Sequence, residues 1–278
     1  MKTAAFLLIA FVALLLAGLF AWRMLDYRSD VREKERLLET QPESPPLFSN
    51  LMVEDLPEPA RRYFQFSIAE GTPLFTVAEI SMRGQFAMGT KDSPNYIPMS
   101  ADQVLAAPDG FIWQMAGGSG LMRISGSDSA SWTRFWLAGV VPVAREGGDA
   151  DHALSAFGRF ASEAIFWTPA AVLPSETVDW EAVDENTARV TLTRNSISQS
   201  VDVAVDADGR PVEVVLQRWS NANAEKEYRL QPFGGYLSEF RNFFGFQLPT
   251  HVEAGNLFGT DSYFSFFVAD VSDIRFVH

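Results

Sequence analysis

The sequence predicts a mainly β protein: a curled antiparallel sheet, or half-barrel, of about nine to eleven strands, with one long inserted helix and an N-terminal transmembrane helix. Three observations predict it. From about residue 75 onward apolar side chains recur at every second position in short runs, residues 149–167 switch to helical spacing, and residues 4–22 carry no charge. A sheet of that size either closes on itself or curls around something.

The first element is "AAFLLIAFVALLLAGLFAW", residues 4–22. As a helix it is about 28 Å long, close to the ~30 Å core of a bilayer. A cleavable signal peptide has a shorter apolar region and an A-x-A-like end, whereas Leu19, Phe20 and Ala21 stand here, so residues 1–25 are expected to be an uncleaved anchor. Orientation has two readings. Arg23, Arg28, Arg32, Lys34 and Arg36 outnumber Lys2, which on the positive-inside rule would leave the body in the cytoplasm. The signal-like layout, one basic residue and then the apolar run, favours export, so the expected location is the bacterial inner membrane with the main domain periplasmic. Residues 26–50 follow as a stalk and linker: "RSDVREKERLLET" alternates charge as on a solvated helix, and "QPESPPLFS" breaks it with three prolines.

Residues 51–278 read as one domain. In "FTVAEISMRGQFAMG" the side chains of Ala78, Ile80, Met82, Phe86 and Met88 share a face, opposite Glu79, Ser81, Arg83 and Gln85. "PDG" at 108–110 is a turn into "FIWQM", and "LMRISGSD" and "SWTRFWLAGVV" continue as strands. The helix at 149–167 starts acidic, stops before Pro169, and places Leu154, Phe157, Phe160, Ala161, Ala164 and Ile165 at spacings of three and four; Arg159 and Glu163 form an i,i+4 pair expected on its surface. Strands resume with "VDWEAV", "TARVTLTR" and "SVDVAVDADGRPVEVVLQRW", the last folded at "DADGR" into a hairpin. In "FRNFFGFQLPTHVEAG" Phe244, Phe246, Leu248, Val252 and Ala254 share one face, and Gln247, His251 and Glu253 the polar one. "DSYFSFFVADVSDIRFVH" is apolar on both faces and requires a cover on both.

Composition narrows the function. The chain has no cysteine, which excludes disulfides, thiol nucleophiles and a lipidated-cysteine anchor. Its net charge is −13, and residues 51–278 hold 16 basic against 29 acidic side chains, a balance that repels phosphate backbones and argues against nucleic acid. Three histidines at 152, 251 and 278 have no metal-ligand spacing, and no metal or other cofactor is expected. "GGSG" at 117–120 is not a nucleophile elbow. His152 beside Asp149 and Asp151 reads as a polar residue of the first helical turn, and His251 with Glu253 as a solvated strand face, before either reads as a base.

Twenty-three phenylalanines are the anomaly, since each ring can bury on the order of 150–250 Å². Trp113, Trp132, Trp136, Trp167, Phe240, Phe244, Phe246, Phe264 and Phe266 are the candidate ligand-facing set. Arg159, Glu163, Arg241 and Glu253 are the candidate polar cluster; with Glu239 they would serve either as structural ion pairs or as an acid/base pair in an apolar cleft.

"RFASEAIFWTPAAVLP" followed by "FGGYLSEFRNFFGFQLPTHVEAGNLFGTDSYFSFFVADVSDIRF" resembles an uncharacterised bacterial family of single-span proteins, a domain of unknown function, over most of residues 55–278. The order of elements also resembles the lipoprotein-carrier half-barrels (LolA/LppX-like): a strand pair around "GFIWQM", a midway helix ending in "TPAAVLP", the 200–219 meander, then "GFQLPTHVEAG" and a terminal strand. Those carriers are soluble or cysteine-anchored, whereas this chain carries an apolar span, and its helix is longer than a simple lid. The resemblance implies a tethered binding protein for lipid or another apolar ligand, with no bond-making chemistry. A carboxylate-based hydrolase or isomerase, and an envelope scaffold with a packed core and a protein partner, are the alternatives.

Overall fold

The computed structural model describes residues 2–276; the C-terminal His278 lies outside them. Helix α1 (Lys2–Leu38) is followed by a 3-10 turn and by α2 (Glu58–Ser67). Six strands come next: β1 (Val77–Ala87), β2 (Tyr96–Ala106), β3 (Gly110–Gly117), β4 (Ile124–Ser129), β5 (Trp132–Leu137) and β6 (Val141–Gly147). Helix α3 (Ala150–Trp167) crosses over to β7 (Val178–Ala182), β8 (Thr187–Arg194), β9 (Ile197–Val205), β10 (Pro211–Ser220), β11 (Arg229–Phe243), β12 (Phe246–Asn256) and β13 (Phe267–Phe276). All thirteen strands belong to one antiparallel sheet, two more than the upper end of the expected range, in the order β6-β5-β4-β3-β2-β1-β13-β12-β11-β10-β9-β8-β7.

The topology is two meanders joined in the middle. β1 to β6 run outward on one side, α3 carries the chain back to the far edge, and β7 to β13 return until β13 pairs with β1. The edges β6 and β7 do not meet, so the sheet curls without closing. Inter-strand twist accumulates over thirteen strands, and register shifts at Ser81/Met82, Phe135/Trp136 and Pro211/Glu213 add to the bend.

The concave side holds the main core. α3 lies in the hollow with no residue exposed after its first, Ala150: Asp149 caps it by accepting from the His152 N–H at 2.8 Å, and Phe157, Phe160, Ala161, Ala164 and Ile165 are buried as their spacing predicts. Gly158 lets it approach β9 and β10, because a Cβ there would sit 3.0 Å from Gln199 and 3.4 Å from Arg218. The hollow is therefore filled in its centre, where Phe111, Phe160, Trp167, Val190, Val201 and Leu216 belong to one buried cluster.

α2 was not expected. Pro59 stands in its first turn, and Ala60, Tyr63, Phe64 and Ser67 are buried at helical spacing. Both rings pack on Trp180, and the Tyr63 hydroxyl donates to the Ile165 carbonyl at 2.5 Å, so α2 plugs the hollow beside the end of α3.

α1 also departs from expectation. Residues 26–38 continue the helix and lie along the convex face of the sheet instead of standing free in solvent: Asp26, Asp30 and Leu37 are buried, Leu37 against Val77, Val104, Ala106 and Ile112. Among the described residues α1 is the one helix long and apolar enough to cross a membrane.

Candidate functional site

Beneath α3 the sheet presents a row of rings with a polar cluster set into it. Phe111 and Trp113 come from β3, Phe135 from β5 and Phe267 from β13; Trp113 meets Phe135 at 6.3 Å and Phe267 at 6.2 Å between centroids. Phe266 continues the row by packing on Phe86 at 5.6 Å and Phe233 at 6.2 Å. Phe86, Phe233, Phe266 and Phe267 are only half-buried, whereas Phe111 and Trp113 are enclosed.

Arg159 is the centre of the polar cluster. Its Nε donates to Glu163 Oε1 at 2.8 Å and its Nη1 to Asp128 Oδ2 at 2.5 Å, while the guanidinium lies over Phe111 and Trp113 at 4.6 and 5.1 Å. Gln103 Nε2 donates to the second Glu163 oxygen at 2.6 Å. Thr133 donates to Asp128 at 2.5 Å; having spent its one proton, it accepts from His152 Nε2 at 3.2 Å. Burial works against the Arg159 charge, but Glu163 and Asp128 outweigh it and its pKa is raised. Arg159 and Glu163 are thus an internal tie between α3 and the sheet, not the surface pair expected from i,i+4 spacing.

Arg218 of β10 lies alongside. It donates to the Ser155 carbonyl at 3.2 Å and hydroxyl at 3.3 Å, covers Phe233 at 5.0 Å, and makes no ion pair among the described residues. Burial first, then repulsion from Arg159, lowers its pKa to about 10. Trp113 Nε1 is buried with no hydrogen-bond partner among the described residues.

The structure divides the expected ring set. Trp113 and the fully buried Trp167 and Phe246 lie in the concave core, and Phe266 lies at its border. Phe264 is half-buried in the segment before β13, which explains the two-faced pattern: residues 257–266 are not strand, so Phe266 turns inward while Tyr263 packs outside on Tyr236 and Phe258. Trp132 and Trp136 belong to the opposite face. Trp136 Nε1 donates to Asp26 at 2.9 Å and Trp132 Nε1 to Ser127 at 3.0 Å, under α1. Phe244 is exposed at the β11–β12 turn, where it and Gly245 take φ of 53° and 96°; the two-residue turn removes it from the strand alternation. Phe240 packs on Phe66 at 5.3 Å.

The expected polar cluster also separates. Glu253 lies on the outer face, accepting from Ser265 at 3.0 Å beside His251, whose Nδ1 is 2.7 Å from Asp270. Arg241 is exposed, donates to the Val271 carbonyl at 2.7 Å, and with Phe240, Glu239 and Thr250 borders an open cleft of about 510 Å³. Only Arg159 and Glu163 meet. Gln103, Asp128 and Arg218, which complete their site, were not singled out in the sequence. Two of them had a signal: Gln103 shares its face of β2 with Met99, Ala101 and Leu105, and Arg218 is in phase with Val214 and Leu216, polar residues where an apolar period calls for a core side chain.

Chemically, the arrangement can hold an apolar chain against rings beside a cation. Both carboxylates are engaged by Arg159, as in a structural ion pair, and among the described residues no group of three His, Asp or Glu could hold a metal.

Among solved structures the chain is similar to a LolA superfamily protein from Nitrosomonas europaea, at 13% identity and a TM-score of 0.40, covering 78% of this chain and 91% of that one. A putative outer membrane lipoprotein-sorting protein domain from Vibrio parahaemolyticus matches at 11% and 0.36, over 82% and 91%. A DUF1329 family protein from Desulfovibrio piger matches at 12% and 0.36, over 73% and 86%. No curated protein matches the chain. Residues 46–268 match one family along nearly the whole of the β body, and the chain belongs to it: the family of unknown function DUF6544.

Proposed function

We propose that the protein is a membrane-tethered binding protein for a lipid or another apolar molecule, held on the concave side of the sheet without bonds being made or broken. The observation that carries this reading is the border of half-buried rings, Phe86, Phe233, Phe266 and Phe267, beside a core that is otherwise closed. A hydrocarbon laid over such rings gains about 0.8 kcal/mol per CH₂ removed from water. Arg218, adjoining Phe233 and without an ion pair among the described residues, suits an acidic head group. The ligand lies along this border, because Phe111, Phe157, Phe160 and Trp167 occupy the centre.

α1 supplies the tether, and the signal-like layout of the first 22 residues favours an extracytoplasmic body in the bacterial envelope. Labelling of a cysteine placed at position 208 by an impermeant maleimide on intact cells reads the side.

The packed centre favours a second reading, a tethered scaffold without ligand. The two separate by photocrosslinking. The full chain in detergent is irradiated with a phospholipid carrying a diazirine in its acyl chain, and adducts are mapped by peptide mass spectrometry. Adducts at Phe86, Phe233 and residues 264–267 are expected. Their absence, with α1 labelled normally, leaves the scaffold.

A further inference from the structure

The docking of α1 fixes how deep the sheet sits relative to the apolar span. Arg23, Asp26, Asp30 and Leu37 are among the residues of α1 that face the sheet, and they meet it in order. Arg23 Nη2 donates to Ser125 at the start of β4 at 3.0 Å, Asp30 accepts from Ser127 at 2.7 Å, and Leu37 reaches Ile112, which pairs with Ser129 at the end of β4. The helix therefore runs parallel to β4, and its apolar end points towards the β3–β4 and β5–β6 connections.

Those connections extend beyond the level at which the apolar stretch begins. Trp22, the last residue of the uncharged run, packs edge-on to Trp136 at 5.6 Å, and the Arg145 guanidinium covers both rings at 4.4 and 4.9 Å. Leu137 continues past Trp136 in the same direction and pairs with Val141, and the turn between them, closed by the Val140 N–H on the Leu137 carbonyl at 3.1 Å, adds about one residue more, roughly 7 Å in all at ~3.3 Å per residue. That is the length of roughly four to five helical residues at 1.5 Å each, so the turn lies beside about positions 18–21 of the span. One contact agrees with this depth: a side chain at Gly139 would run into the Arg23 guanidinium, which reaches back along the helix from the residue just after the span.

The residues at these tips are apolar and solvent-facing: Leu121 is 84% exposed, Met122 69%, Val141 49% and Val140 38%. Exposed as a group in water they would be a liability, and beside a span they have a partner already in place. We propose that the β3–β4 and β5–β6 loops enter the bilayer next to α1, with Leu121, Met122, Val140 and Val141 in the acyl boundary and Arg123 at the head groups. The occupant of this surface is the membrane that α1 crosses, argued from continuity with the span, and the inference rests on the tether reading above. Its consequence is a body held at the membrane surface at two places, by a helix and by a pair of loops.

The chain's lack of cysteine makes the test direct. Single cysteines are introduced at Leu121, Met122 and Val141, at Phe11 in the span, and at Asp208 in the β9–β10 turn. Each full-length variant is labelled with an environment-sensitive fluorophore and reconstituted into vesicles of phosphatidylethanolamine and phosphatidylglycerol containing lipids with a nitroxide at acyl carbon 5. Blue-shifted emission and several-fold stronger quenching at 121, 122 and 141 than at 208 are expected. Quenching at Phe11 with 121, 122 and 141 behaving like 208 overturns the loop insertion and leaves the tether standing. No quenching at Phe11 overturns the tether, and the loop proposal with it.

Discussion

Arg159 shows how much one buried charge depends on its surroundings. Two carboxylates and a glutamine amide hold it against two aromatic faces, so replacing it removes the partner of Asp128 and Glu163 at once. Breaking a buried pair from one side costs about 3–5 kcal/mol, and Arg159→Met is expected to lose that much in denaturant unfolding, with Glu163→Gln losing less because Asp128 keeps its cation. His251 behaves differently because it is part-exposed on the outer face. The hydrogen bond to Asp270 raises its pKa, partial burial opposes this, and Glu253 adds to the rise. A histidine raised above its unfolded value stabilises the fold fully below about pH 6.5, and that gain is lost as pH climbs through the folded pKa. The melting difference between wild type and His251→Gln is therefore expected to be largest in mild acid and to vanish in alkali; a difference that does not change with pH contradicts this. Each residue's near partner, Glu163 or Glu253, is visible in its local sequence, and the distant ones, Asp128, Gln103 and Asp270, are not. The i,i+4 spacing of Arg159 and Glu163 is the same on a surface helix as on a helix inserted into a sheet, and only burial distinguishes them.

Among the elements, α1 and α2 depart most from expectation. Alternating charges over residues 28–40 describe a solvated helix well on three sides, yet the fourth side carries Asp26, Asp30 and Leu37 into contact with the sheet. Asp26 is the tie: it accepts two hydrogen bonds from Arg145, at 2.6 and 3.0 Å, and one from Trp136. Losing hydrogen bonds of a charged group costs about 1.5–3 kcal/mol, so Asp26→Ala is expected to speed amide exchange over residues 27–38 roughly ten- to a hundredfold while the central strands hold. Unchanged exchange there would mean that Leu37 and Asp30 suffice. α2 was legible, since Ala60, Tyr63, Phe64 and Ser67 have helical spacing after a proline start, but a ten-residue helix between a proline linker and the first strand gives a short window. α3 is legible in the sequence because its spacing, its acidic start and Pro169 agree over eighteen residues.

At the scale of the whole molecule, two meanders meet at β1 and β13, and α3 and α2 fill the curl they make. The charge of −13 belongs to this body, and its mutual repulsion is spread over the surface. Shortening the Debye length from about 30 Å at 0.01 M salt to about 8 Å at 0.15 M is expected to raise the melting temperature; a fall would show that the surface ion pairs outweigh the repulsion. The sequence by itself determined the strand period, the inserted helix, the apolar N-terminus and the mainly β class, because each is a local periodicity of side chains and backbone. Only the tertiary structure decided that the hollow is filled, that Trp132 and Trp136 serve the outer face under α1, and that Gln103, Asp128 and Arg218 join Arg159 and Glu163. The physical reason is that curvature and strand order bring together residues tens of positions apart, and a repeat of two along one strand carries no record of which face will be the inside.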